Sequence, residues 1–431
     1  MGGEQLRAEF RGAAAGGRLT DLYGRRPVLA AGIVVFTLAS GAAAAAGGGG
    51  ALIAARTVQG VGAALVIPAS LAVVAVDLPE RRRSLAVGLW TAALAVALAL
   101  GPLVGGLVTQ RWGWEWVFAL NVPLGVVALG LVGAVPGRSG RRAGTAGGLD
   151  VPGVVLSVLA LTLLTYALVR GGEHGFGGQT VPLGAAAGAV LAFLVVEART
   201  SRPLLRPGLL RDRFLTGGVI AQVLWGIGVN GVFFFTALYL QRVLGFTPTR
   251  AGLAFLPLAG ALLVCTPFAE RAARALGAHV SIAVGLVLVA GGLLLVSEAG
   301  PHAGYGDLQP GLVLIGAGSA LTTPLTVRCL AGVPTADTGM ATGLVSAARE
   351  ISGVFGVVLV GIVLTRRERS ALAAGADPRG AFLDGYDDGL RLAACCVLAG
   401  AAVTFVALRR RGRHRRIVAR ASRDGVGAVT K

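Results

Sequence analysis

About twelve stretches of this 431-residue chain stay apolar for close to 20 residues at a time. Each is long enough to cross a hydrocarbon core about 30 Å thick as a helix rising 1.5 Å per residue. This pattern limits the fold more than any other feature, because backbone groups surrounded by lipid must be hydrogen-bonded within the protein. The segments lie near 28–47, 51–76, 85–108, 116–135, 151–169, 181–197, 215–240, 251–269, 280–297, 310–327, 340–364 and 389–408. Only 14% of residues are charged, against about 25% in soluble domains. The 68 glycines suit helices that approach one another closely in a membrane. The expected fold class is all-α, a polytopic helical membrane protein.

The net charge of +18 would suggest nucleic acid in a soluble chain, but its placement points elsewhere. If the loop ending at Arg26 is cytoplasmic, alternate loops and the C-terminal tail put 28 of the 39 Lys and Arg on that side and nine on the other. Only Arg56 and Arg349 remain inside spans. The positive-inside rule then orients the chain, with both ends cytoplasmic. The tail from Arg409 to Lys431 suits anionic lipid headgroups. No basic module carries interleaved aromatics, so a nucleic-acid partner is not expected. The four cysteines form no CxxC pair and the four histidines lie at no metal-ligand spacing, so neither a metal nor a redox site is expected. No nucleophile–base pair or phosphate loop appears, which argues against an enzyme. The first residues lack the apolar core of a signal peptide.

Three short patterns stand out. The first is GGRLTDLYGRR, Gly16–Arg26, directly before an apolar run. Glycine permits a tight turn between helices, Asp21 can favour a neighbouring helix N-terminus, and Arg25 with Arg26 anchors the inner face. The second is RTVQGVGAAL, Arg56–Leu65. A charge inside a span calls for a buried partner or a water-filled cavity, and Gln59 lies one turn from Arg56. The alternative is an arginine that snorkels to the interface. The third is GLWTAALAVALALGPLVGGLV, Gly88–Val108. There Pro102 bends the helix, and Gly101, Gly105 and Gly106 permit tight packing. Arg349 and Glu350 also sit inside a span, about 100° apart around a helix, so they do not simply pair. A faint internal repeat sets RLTDLYG, Arg18–Gly24, beside RAARALG, Arg271–Gly277.

The Gly16–Arg26 loop resembles the cytoplasmic loop motif of the major facilitator superfamily, matching at Gly17, Leu19, Asp21, Gly24, Arg25 and Arg26 and departing at Leu22, where a basic residue is usual. The Gly88–Val108 segment resembles the motif that separates antiporters from other members. RWGWEWVFALNVPLG at Arg111–Gly125, YLQRVLGFTPTRAGLAFLP at Tyr239–Pro257 and GLVSAAREISGVFGVVL at Gly343–Leu359 look like the matching regions of the fourteen-span drug:proton antiporters. The resemblance runs from about Gly16 to Thr365.

It implies a major facilitator fold in which two halves rock about a central cavity. Gly17, Asp21, Gly24, Arg25 and Arg26 would form a latch, and Arg56, Gln59, Arg349 and Glu350 would be the proton-path and coupling candidates. Gly101, Pro102, Gly105 and Gly106 would shape the antiporter bend. No cofactor is expected beyond a proton gradient. The expected partners are a small hydrophobic or cationic substrate, protons and membrane lipid, with the protein a monomer in the cell membrane.

Fourteen-span relatives begin with two further spans and an Asp-led motif absent here, so roughly 12 of an expected 14 helices are present and an N-terminally truncated copy is expected. The expected organisation is an incomplete N-terminal bundle over 1–135, two extra central spans with linkers over 136–213, a six-helix bundle over 214–408 and a basic tail over 409–431. The function implied is efflux of hydrophobic or amphipathic drugs in exchange for protons. The alternatives are a narrow exporter of a host metabolite and a truncated membrane protein that does not transport.

Overall fold

The computed structural model describes residues 24–76, 93, 97, 101–134, 151–174, 176–200, 207–298, 300, 304–330, 333 and 338–409. Among these, all regular structure is helical. In chain order the elements are α1 (Arg25–Ala44), α2 (Gly49–Val76), the helical residues 101–112 (α3), α4 (Glu115–Ala119), α5 (Asn121–Ala134), α6 (Val151–His174) and α7 (Thr180–Arg199). The second half comprises α8 (Arg213–Arg242), α9 (Pro248–Leu253), α10 (Leu256–Leu276), α11 (Ala278–Ser297), α12 (Tyr305–Leu321), α13 (Leu325–Cys329), α14 (Thr338–Ala373) and α15 (Pro378–Ala407). Among the described residues, nine stretches are long and apolar enough to cross a membrane. The outer surface fits that solvent: Leu38, Val181 and Val406 are 70%, 78% and 74% exposed, which would be a liability in water.

Prolines punctuate the spans. The run near 251–269 divides into α9 and α10, with Pro257 in the first turn of α10 and a turn at 254–255. The run near 310–327 breaks at 322–324, where Pro324 precedes α13. Two helices exceed their apolar runs. α14 continues to Ala373 through a polar stretch that keeps helix-forming residues, and Gly375, at φ 89°, follows its end. α15 starts at Pro378, eleven residues before the apolar run at 389, because Asp377 accepts the Gly380 N–H at 3.0 Å and proline suits the first helical position.

The second half has one continuous core drawn from α8, α11, α12, α14 and α15, in which Tyr239 stacks on Tyr386 with centroids 5.0 Å apart. The Tyr386 hydroxyl lies 2.8 Å from Thr236 Oγ1. Backbone proximity sets the packing of α11 on α12. Gly285 faces Gly318, and Gly292 faces Gly311, each across the other's carbonyl at a distance where a side chain would not fit. Small residues at such seams are how membrane helices gain van der Waals contact without a hydrophobic driving force between them. The first half has a smaller cluster of Val28, Leu29, Ile33 and Ala69, with α5 packed against α1. α6 and α7 pair with one another, and α6 also lies on α14.

One turn in each half is alike. Gly24 precedes α1 at φ 90°, ψ 146°, and Gly277 precedes α11 at φ 89°, ψ 140°. These are the glycines that end the two copies of the short sequence repeat, and at positive φ glycine is the least strained residue. Each is followed by a helix packed lengthwise on its successor, α1 on α2 and α11 on α12.

At one end of the second half, Arg213 and Arg328 donate to the carbonyls of Arg409 and Leu408, each at 2.8 Å, just past the end of α15. Both guanidiniums also lie over the Phe214 ring. The charge bias of the sequence assigns all three segments to the same membrane side.

Candidate functional site

Between α3, α8, α10, α12 and α14 lies a cavity of 270 Å³. α8 supplies Gln222, Trp225, Val229 and Phe233, and the α9–α10 turn and α10 supply Phe255, Leu258, Ala259 and Leu262. Ser319, Thr322, Thr323 and Thr326 come from the broken end of α12 and from α13, and Arg349 from α14. From the first half, Pro102 completes the wall. A mostly apolar cavity with a few convergent polar groups has the form of a small-molecule site. Phe233 and Phe255, with ring centroids 5.1 Å apart, line its apolar part.

Pro102 reaches the cavity because α3 touches the second half closely. A Cβ on Gly106 would run into the Pro248 carbonyl, and a Cβ on Gly252 would run into the Pro102 carbonyl. The Thr249 N–H donates to Gln110 Oε1 across the same seam at 3.3 Å. Pro248 and Thr247 hold their side of it rigid: proline opens α9, and the Thr247 hydroxyl accepts the Arg250 N–H at 3.4 Å. Two segments singled out in the sequence, Gly88–Val108 and Tyr239–Pro257, therefore meet backbone to backbone. Gly101 and Gly105 take no part in this contact, since a Cβ at either would meet nothing within 4 Å.

Arg56 lies on α2, seven residues after the helix begins. Its guanidinium donates to Gln59 Oε1 at 2.5 Å, Gln59 Nε2 donates to Ser40 Oγ at 2.6 Å, and Ser40 Oγ donates to the Phe36 carbonyl at 2.7 Å. Gln59 is 2% exposed and Ser40 is fully buried. Arg56 also lies 5.6 Å from the centroid of the Phe118 ring. The pair expected from the one-turn spacing thus forms, and through Ser40 it ties α2 to α1. Arg56 and Gln59 do not line the cavity above.

Arg349 and Glu350 separate as their helical spacing requires. Arg349 lines the cavity and Glu350 does not. Among the described residues, no carboxylate lies within salt-bridge distance of either arginine, Arg56 or Arg349. Of the proposed latch, Gly17 and Asp21 lie outside the described residues, while Gly24, Arg25 and Arg26 form the turn into α1.

Sequence reasoning did not single out the polar lining. Gln222 and the cluster Ser319, Thr322, Thr323 and Thr326 are isolated polar residues in apolar runs. The signal available was the Thr-Thr-Pro step that interrupts the run near 310–327. It also left Asp384, Asp387 and Asp388 ahead of the last span, whereas all three are helical residues of α15. Asp388 pairs with Arg367 at 3.1 Å and Arg391 at 3.4 Å. Asp387 Oδ1 is buried with no hydrogen-bond partner.

This architecture has known counterparts. A structure described as the partially occluded inward-open xylose transporter XylE from E. coli superposes with a TM-score of 0.57, at 16% identity over 92% of this chain and 84% of the other, a likeness of fold. Among sequence relatives, the cephamycin export protein CmcT of Amycolatopsis lactamdurans is 37% identical over 355 residues, 80% of this chain and 72% of its own length. The multidrug resistance protein Stp of Mycobacterium tuberculosis is 35% identical over 351 residues, 80% of this chain, and the match spans 65% of the Stp length. The tetracenomycin C resistance and export protein of Streptomyces glaucescens is 32% identical over 357 residues, 81% of this chain and 66% of its own length. The family description Major Facilitator Superfamily matches residues 12–364, and the chain belongs to that superfamily of membrane transporters.

Proposed function

We propose that the protein is a secondary active exporter of hydrophobic or amphipathic antibiotics or drugs, driven by proton exchange. The observation that carries this reading is the cavity between the halves, walled by Pro102 on one side and by α8, α10, α12 and α14 on the other. The functions for which the relatives are named, multidrug resistance and export of cephamycin and of tetracenomycin C, support it.

In this reading the halves rock about the cavity, and protonation favours one facing state over the other. Glu350 is the proposed proton acceptor, because an acid within a span is costly unless it has a function or a partner. The hydrogen-bonded Arg56 and Gln59 hold α1 and α2 together through Ser40. Gly17, Asp21, Gly24, Arg25 and Arg26 act as the inner latch. Gly101, Pro102, Gly105 and Gly106 form the bend that limits leak, with Gly106 making the closest approach. The protein works as a monomer in the cell membrane, its tail on anionic lipid.

The cavity's modest size favours a second reading within the same chemistry. At 270 Å³ it lies just below the range of about 300–1,000 Å³ usual for drug-sized ligands, which suits an exporter of one metabolite.

The test is efflux from right-side-out vesicles loaded with a panel of neutral, cationic and anionic fluorescent compounds, with and without a proton uncoupler. Uncoupler-sensitive efflux of several panel members supports the drug exporter, and efflux of one alone supports the narrow one. Glu350→Gln is expected to retain binding while losing most uncoupler-sensitive efflux. Efflux that is equal with and without the uncoupler would remove the proton from the mechanism.

A further inference from the structure

We propose that the cavity recognises an amphipathic organic anion, an aromatic carboxylate or phenolate, through Arg349. This rests on the export reading above and narrows its substrate class. Arg349 is the one charged side chain among the described lining residues, and none of those residues carries a carboxylate. No carboxylate of the described residues pairs with its guanidinium elsewhere, and Glu350, the adjacent acid on α14, lies about 100° around the helix.

A guanidinium inside a membrane span needs a compensating charge or water. A ligand carboxylate or phenolate meets that need with charge-assisted hydrogen bonds. An organic cation in the same space would meet the like charge of the exposed Arg349 guanidinium and be repelled.

The neutral polar lining agrees. Thr322 and Thr323 donate their hydroxyl protons to the Ser319 and Ala320 carbonyls at 2.7 and 2.6 Å. By contrast, Ser319 Oγ and Trp225 Nε1 have no hydrogen-bond partner, and both residues line the cavity. The remaining wall, with Phe233 and Phe255 at its apolar end, suits a ring system. The site therefore combines one positive charge with aromatic surface in a single lining.

The test is equilibrium binding of fluorescein and of ethidium to the full-length protein purified in detergent, read by fluorescence anisotropy. The wild-type protein is expected to bind fluorescein at least tenfold more tightly than ethidium. Arg349→Gln should weaken fluorescein at least tenfold, and Arg349→Lys should restore most of the affinity. Preference for ethidium, failure to bind fluorescein, or fluorescein affinity unchanged in Arg349→Gln overturns the proposal. The wild-type comparison needs no variant to fold. Because binding is read without transport, the two readings can fail separately. Fluorescein binding without efflux in vesicles would sink the exporter, and efflux of ethidium but not fluorescein would sink the anion site.

Discussion

At the scale of single residues, Gln59 shows how one side chain can serve two helices. It accepts from Arg56 on its own helix, α2, and donates to Ser40 on α1. Replacing it leaves the arginine without that acceptor and Ser40 without its donor. Gln59→Leu is expected to destabilise the protein by about 1–3 kcal/mol, the usual range for a buried polar group that loses its partner. Gln59→Glu keeps an acceptor for Arg56 and should lose less. Thermal unfolding of the two variants in detergent checks this, and a Gln59→Leu midpoint equal to wild type would show that the chain of bonds contributes nothing to stability. The spacing of Arg56 and Gln59 was legible in the sequence. Their link to Ser40, 19 positions away from Gln59, was not, because helix periodicity relates residues only within one element.

At the scale of elements, backbone contact between helices decides which glycines matter. The three glycines of the Gly101–Gly106 bend looked equivalent in sequence, but only Gly106 sits where a Cβ would strike the Pro248 carbonyl. Gly106→Ala is therefore expected to force α3 away from α9 and to cut efflux at least tenfold, while Gly105→Ala stays near wild type. Efflux rates of the two variants in vesicles, normalised to protein inserted, make the comparison. Equal losses in both would mean that the seam does not hold the working state. The same physics explains the repeat. Seven residues relating Arg18 to Gly24 and Arg271 to Gly277 are weak as letters, yet both glycines adopt nearly the same positive-φ geometry ahead of a helix hairpin. What the two halves share there is a backbone turn, and many sequences can approach such a turn once glycine is in place.

At the scale of the whole molecule, charge movement links the cavity to the membrane. Exchange of one proton for one organic cation moves no net charge, whereas proton uptake with export of an anion moves two. A membrane potential acts on the second process and not on the first. With the anion site proposed here, fluorescein efflux from intact cells is expected to fall severalfold when valinomycin and high external potassium collapse the potential at constant pH gradient. Efflux that follows the pH gradient alone would mean electroneutral exchange. The direction of this effect is fixed by the sign of the charge at Arg349, which one position in the sequence supplies.

The sequence by itself determined the solvent and the class of fold: apolar runs of spanning length leave the backbone no alternative to helices in lipid. It also marked the local patterns, the turn at Gly24, the pair Arg56 and Gln59, and the bend at Pro102, because each depends on residues within a turn or two of one another. Tertiary structure alone decided which of these meet. The contact of α3 with α9, the separation of Arg349 into the cavity from Glu350 outside it, and the gathering of Gln222, Ser319 and Thr326 around one space depend on how closely helices far apart in the chain approach. That distance is set by the packing of small side chains against backbone across each seam, and helical periodicity within a segment carries no information about which other segment lies opposite.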